Sequence, residues 1–159
     1  MLRILDITAP DINNGNGIRI TLWVAGCTHK CKGCHNAWTW DYNQGKIYEK
    51  EQKQIQNTLS KWLSRDYVEG ITISGGDPLD QDNHTLSELL LLLKWVRHNY
   101  PTKNIWLYTG FEYENLTEYQ KEITEYCDVI VDSPFIEEKK SYMCPFRGST
   151  NQRIIHIKQ

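Results

Sequence analysis

Short apolar runs alternate with longer helical patterns along this chain, and this alternation limits its fold more than any other feature. Residues 18–26, IRITLWVAG, predict a strand, and residues 49–64 carry apolar side chains at helical spacing. Strands that alternate with helices form a parallel sheet, with helical connections that cross over its faces. The sequence therefore predicts an α/β fold.

Further predicted strands and helices continue this alternation. The predicted later strands are residues 70–74, 104–110 and 128–132, with 153–157 as a candidate fifth strand. Two capping-box pairs predict helix starts, Thr85 with Glu88 and Thr117 with Gln120. Four or five β/α units cannot close an eight-unit barrel, which takes roughly 250 residues. We expect a partial, open parallel barrel in a single domain spanning residues 1–159.

Composition and charge exclude several classes of protein. The 159 residues are 40% hydrophobic and 24% charged, with a net charge of -2, which is ordinary for a globular protein. Without a broad basic field we expect no nucleic-acid partner. The longest apolar run, residues 89–93, is too short to cross a bilayer. Because the first residues also lack a signal-peptide pattern, we expect a cytoplasmic protein without a membrane partner.

The chemically informative segments all follow predicted strands. They are Cys27–Cys34 after the first strand, Ser74–Pro78 after the second, Tyr108–Gly110 after the third and Asp132–Pro134 after the fourth. Because the carboxyl ends of parallel strands meet at one edge of a sheet, these segments are expected to converge on one site.

Three of the five cysteines stand close together, in the segment GCTHKCKGCHN at residues 26–36. Cys27, Cys31 and Cys34 are spaced C-x3-C-x2-C. In a cytosolic chain, clustered thiols indicate a metal site or catalysis before disulfides.

The ligand chemistry leaves three kinds of site open. A structural zinc site would take His29 or His35 as its fourth ligand. A closed iron–sulfur cluster would take Cys144 as a distant fourth thiolate. A [4Fe–4S] cluster held by three cysteines would leave one iron free for a substrate, just as catalytic zinc keeps an open position. Zinc fingers usually carry a second C-x2-C pair, which this sequence lacks, so the spacing favours the open cluster.

C-x3-C-x2-C is also the cluster motif of the radical S-adenosylmethionine enzymes, and the chain resembles one group of them along nearly its whole length. GNGIR at residues 15–19 resembles the entry segment of the glycyl-radical activases. The stretches that resemble the activating proteins of anaerobic (class III) ribonucleotide reductase are CKGCHN at 31–36, SGGDPL at 74–79, LYTGF at 107–111, VDSPF at 131–135 and RGSTNQR at 147–153. The conjunction of the cysteine triplet with GGDP and RGSTNQR makes the resemblance specific.

The resemblance implies a function and a set of partners. Cys27, Cys31 and Cys34 would hold one [4Fe–4S] cluster, and S-adenosylmethionine would bind its open iron. Reductive cleavage of this cofactor would give a 5′-deoxyadenosyl radical, which takes a hydrogen atom from a glycine near the C-terminus of the reductase's large subunit. An electron donor such as a flavodoxin is implied as a second partner.

The resemblance also indicates which residues contact the cofactor. Gly33 stands where many radical S-adenosylmethionine enzymes carry an aromatic residue beside the adenine, so its contact would be through backbone. His35 is expected near the nucleoside, and Gly75 and Gly76 allow a close backbone approach to the methionine ammonium group. The remaining candidates for cofactor contacts are Cys34, Asp77, Thr109 and Asp132.

The sequence leaves two alternative functions open. One is activation of another glycyl-radical enzyme, of the formate-lyase type, although such activases usually resemble longer chains with extra cysteine sets. The other is a non-catalytic interaction module stabilised by zinc.

Overall fold

A computed structural model describes residues 1–157 and contains one seven-stranded sheet. The strands are β1 (Arg3–Asp11), β2 (Ile18–Val24), β3 (Lys46–Ile47), β4 (Val68–Gly75), β5 (Asn104–Tyr108), β6 (Val129–Asp132) and β7 (Arg153–His156). The α-helices of the described chain are α1 (Tyr48–Leu63), α2 (Asn83–Asn99) and α3 (Glu118–Thr124). The strand order is β3-β1-β2-β4-β5-β6-β7, so β3 and β7 form two edges and the sheet does not close on itself.

The centre of the sheet matches the predicted alternation of strands and helices. Strands β2, β4, β5 and β6 pair in parallel, and one α-helix lies between each pair of successive strands along the chain. The three helices share one apolar core with the sheet. The α/β prediction is therefore confirmed for this part of the fold.

The two sides of the sheet differ from the expected all-parallel arrangement. Strands β1 and β3 are antiparallel additions beside β2, and β7 pairs antiparallel with β6. The candidate strand at 153–157 therefore exists but is not a further β/α unit. A parallel return needs a crossover connection, usually a helix, and the chain between β6 and β7 contains only a short 3-10 helix, Glu137–Lys139.

The N-cap of helix α2 lies three residues before the predicted one at Thr85. Its N-cap is Asp82, whose side chain accepts a hydrogen bond from Thr85 N. The Thr85 hydroxyl instead accepts a hydrogen bond from the amino group of Met1, and Glu88 binds the backbone N–H of Leu2. The predicted capping box at Thr85 and Glu88 is therefore wrong, because both side chains are used in tertiary contacts.

The second predicted capping box is confirmed. Thr117 and Gln120 exchange both hydrogen bonds of the motif at the start of α3. A short helix that carries both reciprocal bonds has its first turn fixed by its own sequence.

The two faces of the central strands have different chemistry. Ile71 and Ile73 of β4 lie in the core that packs against the helices, whereas Thr72 and Ser74 alternate with them. Alternation with period two places these polar side chains on the opposite face of the sheet. This second face is the one that carries the polar contacts described next.

Arg19 is fully buried on this polar face. Its guanidinium donates to Thr72 Oγ1 at 2.8 Å and to the carbonyls of Asn16 and Ile71, both at 2.9 Å, and lies over the ring of Trp106. Burial lowers the pKa of Arg19 to about 10, so the group stays charged at neutral pH. Its fork of donors holds the loop before β2 against β4.

Asp11 holds the other end of that loop. Its carboxylate accepts hydrogen bonds from Thr21 Oγ1 at 2.8 Å, Asn14 Nδ2 at 2.7 Å and Asn13 N at 2.8 Å. The loop between β1 and β2 is therefore folded back beneath the polar face of the sheet.

Within residues 1–157, no helix is both long and apolar enough to cross a membrane.

We expect Asp82→Ala to lower the free energy of unfolding by about 1 kcal/mol, because it removes the N-cap of α2. The hydrogen bond from Thr85 N–H holds the pKa of Asp82 below its ordinary value. The stabilisation should therefore be complete above the ordinary carboxyl pKa of about 3.9 and disappear as the pH falls through the lower folded-state pKa.

Urea unfolding at several pH values measures this effect. The matched control is Asp66→Ala, which removes an exposed aspartate from a turn. Equal urea midpoints for the two variants at pH 7 would show that Asp82 does not cap α2.

Candidate functional site

A cavity of about 480 Å³ lies at the carboxyl ends of β2, β4, β5 and β6. The predicted site residues among its lining are Cys27, Cys31, Cys34, His35, Gly75, Gly76, Asp77 and Thr109. The segments that follow four different strands thus meet at one place, as the parallel centre of the sheet requires.

Cys27 lies at the inner end of the cysteine loop and is buried. The backbone N–H groups of His29 and Lys30 point at its sulfur, but burial outweighs them and raises the pKa of the thiol to about 11. Without a bound cation this sulfur is therefore a thiol at neutral pH. A metal ion that binds here must displace its proton.

Cys31 and Cys34 are half-buried and also receive backbone donors. The N–H of Asn36 donates to Cys34 Sγ at 3.4 Å, and the N–H of Phe135, from the loop after β6, points at the sulfur of Cys31. Burial raises the pKa of the Cys31 thiol. Each of the three sulfurs thus lies beside at least one N–H that would stabilise a thiolate.

Asp77 connects the cysteine loop to the strand ends. Its side chain is almost fully buried, and its Oδ2 accepts hydrogen bonds from His29 Nε2 at 2.7 Å, Thr109 Oγ1 at 2.9 Å and Gly110 N at 2.8 Å. Its Oδ1 accepts from Leu79 N at 2.9 Å. A buried carboxylate is tolerated only with partners of this kind, so Asp77 holds these loops in place.

His29 and His35 have contacts other than a metal. The hydrogen bond to Asp77 raises the pKa of His29, and its ring packs edge-on against Phe111. The ring of His35 lies 5.5 Å from that of Phe135. Each histidine thus has a protein partner in this structure.

A different donor set includes Cys27. Its sulfur lies within 4.8 Å of one ligand atom each from His29 and Asp80. Both residues also have protein partners, since His29 Nε2 binds Asp77 and Asp80 Oδ2 accepts from the N–H and hydroxyl of Thr28 at 2.6 Å. These contacts hold His29 and Asp80 beside Cys27.

Gly75 and Gly76 are required by backbone packing. A Cβ on Gly75, whose φ is +126°, would lie 2.2 Å from the carbonyl oxygen of Val24, and one on Gly76 would lie 2.3 Å from that of Gly26. The end of β4 therefore packs directly against the entry to the cysteine loop. Close approach to a ligand was the expected reason for these glycines, and the structure supplies another that needs no ligand.

Two of the predicted cofactor residues lie outside the described lining of the cavity. Gly33 has a φ of +76° and turns the cysteine loop beside Glu137. Asp132 is fully buried, and its carboxylate accepts hydrogen bonds from Tyr113 N, Ser133 Oγ and the guanidinium of Arg153. The structure thus gives Asp132 contacts that join β6 to β7.

Several cavity residues were not among the predicted cofactor contacts. They include Asn13, Asn14, Ser133, Phe135, Cys144 and Arg147. No sequence pattern marks Asn13 and Asn14, because their place depends on how Asp11 and Arg19 fold the loop that carries them. Arg147 belongs to the RGSTNQR stretch, whose polar composition alone does not distinguish a cavity wall from a surface turn.

Comparison with known proteins identifies the family. Residues 13–155 match the family described as 4Fe-4S single cluster domain. The chain is 39% identical over 144 residues to the anaerobic ribonucleoside-triphosphate reductase-activating protein of Enterobacteria phage T4, an alignment that covers 91% of this chain and 87% of that one. The proteins of the same name from Haemophilus influenzae and Escherichia coli K12 are 40% and 38% identical, over 92% and 93% of this chain and 92% and 94% of theirs.

The chain belongs to the family of anaerobic ribonucleoside-triphosphate reductase-activating proteins. A solved structure, that of QueE from Escherichia coli, has a similar fold, with a TM-score of 0.51, 13% identity, and coverage of 82% of this chain and 70% of that one. At this identity the likeness concerns the fold alone. It supports the description of the chain as a mixed α/β sheet that stays open.

The residues present fit the iron–sulfur cluster that the family implies. Cys27, Cys31 and Cys34 are free thiols that share one cavity, and thiolates are the ligands that such clusters take. The backbone N–H groups beside the sulfurs would compensate the charge of bound thiolates, and hydrogen bonds to sulfur also set cluster potentials.

We expect Asp77→Asn to destabilise the chain by at least about 2 kcal/mol, because an amide cannot accept all four hydrogen bonds and leaves buried donors without a partner. Urea unfolding checks this. The matched control is Asp80→Asn, a half-buried carboxylate in the same loop that binds Thr28. If both variants lose the same small amount of stability, Asp77 does not hold the site together.

Proposed function

We propose that this protein activates anaerobic ribonucleoside-triphosphate reductase by generating a glycyl radical on the large subunit of that enzyme. The observation that carries the proposal is the set of three thiols, Cys27, Cys31 and Cys34, that line one cavity at the ends of the parallel strands in a chain of this family. The protein is therefore an enzyme of the oxidoreductase type, an activase whose substrate is another protein.

The cofactors are one [4Fe–4S] cluster and S-adenosylmethionine. When bound, they supply a carbon radical that abstracts a hydrogen atom. We assign the cluster to Cys27, Cys31 and Cys34, which leaves one iron free for the cofactor. Gly33, His35 and the Gly75–Asp77 segment remain our candidates for contacts with the cofactor, together with Thr109 and Asp132.

The chain's own residues position and protect this chemistry. Asp77 fixes the cysteine loop relative to β4 and β5, and its hydrogen bond to Thr109 fixes that hydroxyl at the cavity wall. Backbone N–H groups lie beside each sulfur. Preorganised donors of this kind cost no rearrangement when the thiols lose their protons.

The shape of the fold favours a polypeptide substrate. We treat residues 1–159 as one radical S-adenosylmethionine activase domain and its sheet as a partial, open barrel, since β7 ends the sheet without meeting β3. Radical chemistry needs water to be excluded. A cavity that stays open at one side obtains that exclusion when a segment of the protein substrate fills the opening.

Two further assignments complete the proposal. The electron is delivered by a reduced carrier protein such as a flavodoxin, and the protein works in the cytoplasm, where thiols stay reduced. The names of the relatives favour the reductase over a formate-lyase type of target. The family match favours an iron–sulfur cluster over a zinc-stabilised interaction module.

We expect Cys27→Ala, Cys31→Ala and Cys34→Ala each to abolish stable cluster binding, because three ligands leave none to spare. Cys144→Ala is the matched control, since Cys144 lines the same cavity. Iron and sulfide analysis after anaerobic reconstitution measures the outcome. Loss of iron from Cys144→Ala as complete as from Cys34→Ala would mean that the cluster has four protein ligands.

The activity itself has an isotopic test. The reductase large subunit is prepared with α-deuterated glycine and mixed without oxygen with the reduced, cluster-loaded protein and S-adenosylmethionine. We expect deuterium in 5′-deoxyadenosine and a glycyl radical signal on the partner. A partner with α-deuterated alanine is the control. The activase function would be excluded if 5′-deoxyadenosine forms without deuterium and the large subunit shows no radical signal.

A further inference from the structure

Residues 139–150 form a hairpin at the mouth of the cavity, which we call the rim hairpin. Thr150 N donates to Lys139 O at 2.9 Å, and Ser141 N donates to Gly148 O at 3.2 Å. Lys140 and Ser149 form an antiparallel bridge between these two hydrogen bonds. The chain between them, residues 142–147, projects from this base.

The tip of the rim hairpin is apolar and almost fully exposed. Tyr142 is 85% exposed and Met143 is 90% exposed. Single exposed apolar residues are ordinary on protein surfaces, but these two are adjacent and lie at the mouth of the functional cavity, because Tyr142 is also part of its lining. Tyrosine, methionine and arginine are enriched where proteins meet.

The hairpin is also held in place. Tyr108 Oη donates to Phe146 O at 2.7 Å, and the Phe146 ring lies 5.4 Å from that of Trp106. Gln152 closes the turn after it, because its Oε1 accepts from the N–H of Gly148 at 2.8 Å. An exposed tip on a fixed base loses little conformational freedom when a partner binds.

The inner side of the same hairpin presents an unpaired donor. Arg147 lines the cavity, and its Nη1 donates to Gln152 O at 3.1 Å. Its Nε is buried and has no hydrogen-bond partner among the described residues. Leaving a buried donor unpaired costs about 1–3 kcal/mol. Because Nε is buried, a ligand in the cavity cannot reach it; the accessible donor of this side chain is Nη2, which has no hydrogen-bond partner among the described residues.

We infer that the rim hairpin is the docking element for the large subunit of the reductase. An extended segment of that subunit enters the cavity with a backbone carbonyl oxygen against Arg147, and its flanking apolar side chains cover Tyr142 and Met143. This inference rests on the proposed function, since it names the surface that the protein substrate uses.

The arrangement fits a polypeptide better than other occupants. A small molecule inside the cavity can reach Arg147 but not the outer tip, whereas a polypeptide runs continuously from one to the other. A second copy of this chain that met the first tip to tip would cover Met143 but leave Arg147 Nη2, on the cavity side, without an acceptor. A chain that enters the cavity and passes over its rim contacts both sides of the hairpin with one continuous segment.

Met143→Asp tests the outer contact, because a charge on the tip opposes burial against apolar side chains. Met143 is not part of the described cavity lining, so the variant should load its cluster and cleave S-adenosylmethionine with a chemical reductant as the wild type does. Its Kd for the large subunit, measured anaerobically by calorimetry on the cluster-loaded protein, should rise by on the order of tenfold or more.

The matched control is Leu91→Asp, which places the same charge on a residue of α2 that is 64% exposed. Its Kd should stay within about twofold of the wild type, as for a surface change away from an interface. Equal Kd values for Met143→Asp and Leu91→Asp would overturn the inference. So would a concentration-dependent dimer, seen by sedimentation, that only Met143→Asp dissociates, because the tip would then be an interface between copies.

Arg147→Lys tests the inner contact. Lysine keeps the positive charge but lacks the fixed fork of donors of the guanidinium, so the yield of partner radical per cluster should fall at least several-fold. An unchanged yield would remove Arg147 from the docking element. A wild-type protein that binds the large subunit but never cleaves S-adenosylmethionine would instead refute the proposed function, and a failure of that kind is separate from a failure of the docking surface.

Discussion

The buried carboxylate of Asp77 is the interaction on which the candidate site depends. Its two oxygens accept four hydrogen bonds, from the cysteine loop through His29, from its own loop, and from the end of β5 through Thr109 and Gly110. A buried carboxylate whose acceptor positions are filled is tolerated, whereas the loss of one partner exposes the others to the cost of desolvation. Asp77 therefore joins the one loop that carries all three cysteines to the ends of β4 and β5.

The buried guanidinium of Arg19 is a second charged group that supports the site. Arg19 donates to β4 and to the loop before β2, and it has carbonyl and hydroxyl partners in place of a carboxylate. Its planar fork suits several fixed acceptors at once. By holding this loop against the polar face of the sheet, Arg19 and Asp11 bring Asn13 and Asn14 to the floor of the cavity. The site thus lies between two networks of buried polar groups.

Sequence patterns predict the parts of this fold that depend on local periodicity, and they miss those that depend on tertiary contacts. The central strands and helix α1 follow from the spacing of apolar residues, and helix α3 follows from a cap formed by residues close together in the sequence. The antiparallel direction of β7 is set by a connection without a crossover helix. The Thr85 hydroxyl binds the amino group of Met1, and Asp82 caps α2 in its place. In the site, spacing placed the cysteines, but the partners of Asp132 and the place of Arg147 depend on how β7 returns to the sheet.

The two walls of the cavity differ in a way that bears on how a radical enzyme could act on a protein. The wall made by β4 and the cysteine loop is packed so tightly that neither Gly75 nor Gly76 can carry a side chain. The opposite wall is the rim hairpin, which has a fixed base, an exposed tip and an unpaired donor at Arg147. A rigid wall suits a cofactor, whose reacting atoms must be held closely. A wall with unsatisfied groups suits a substrate that arrives later, because the substrate then supplies both the missing acceptor and the exclusion of water that the open sheet does not provide.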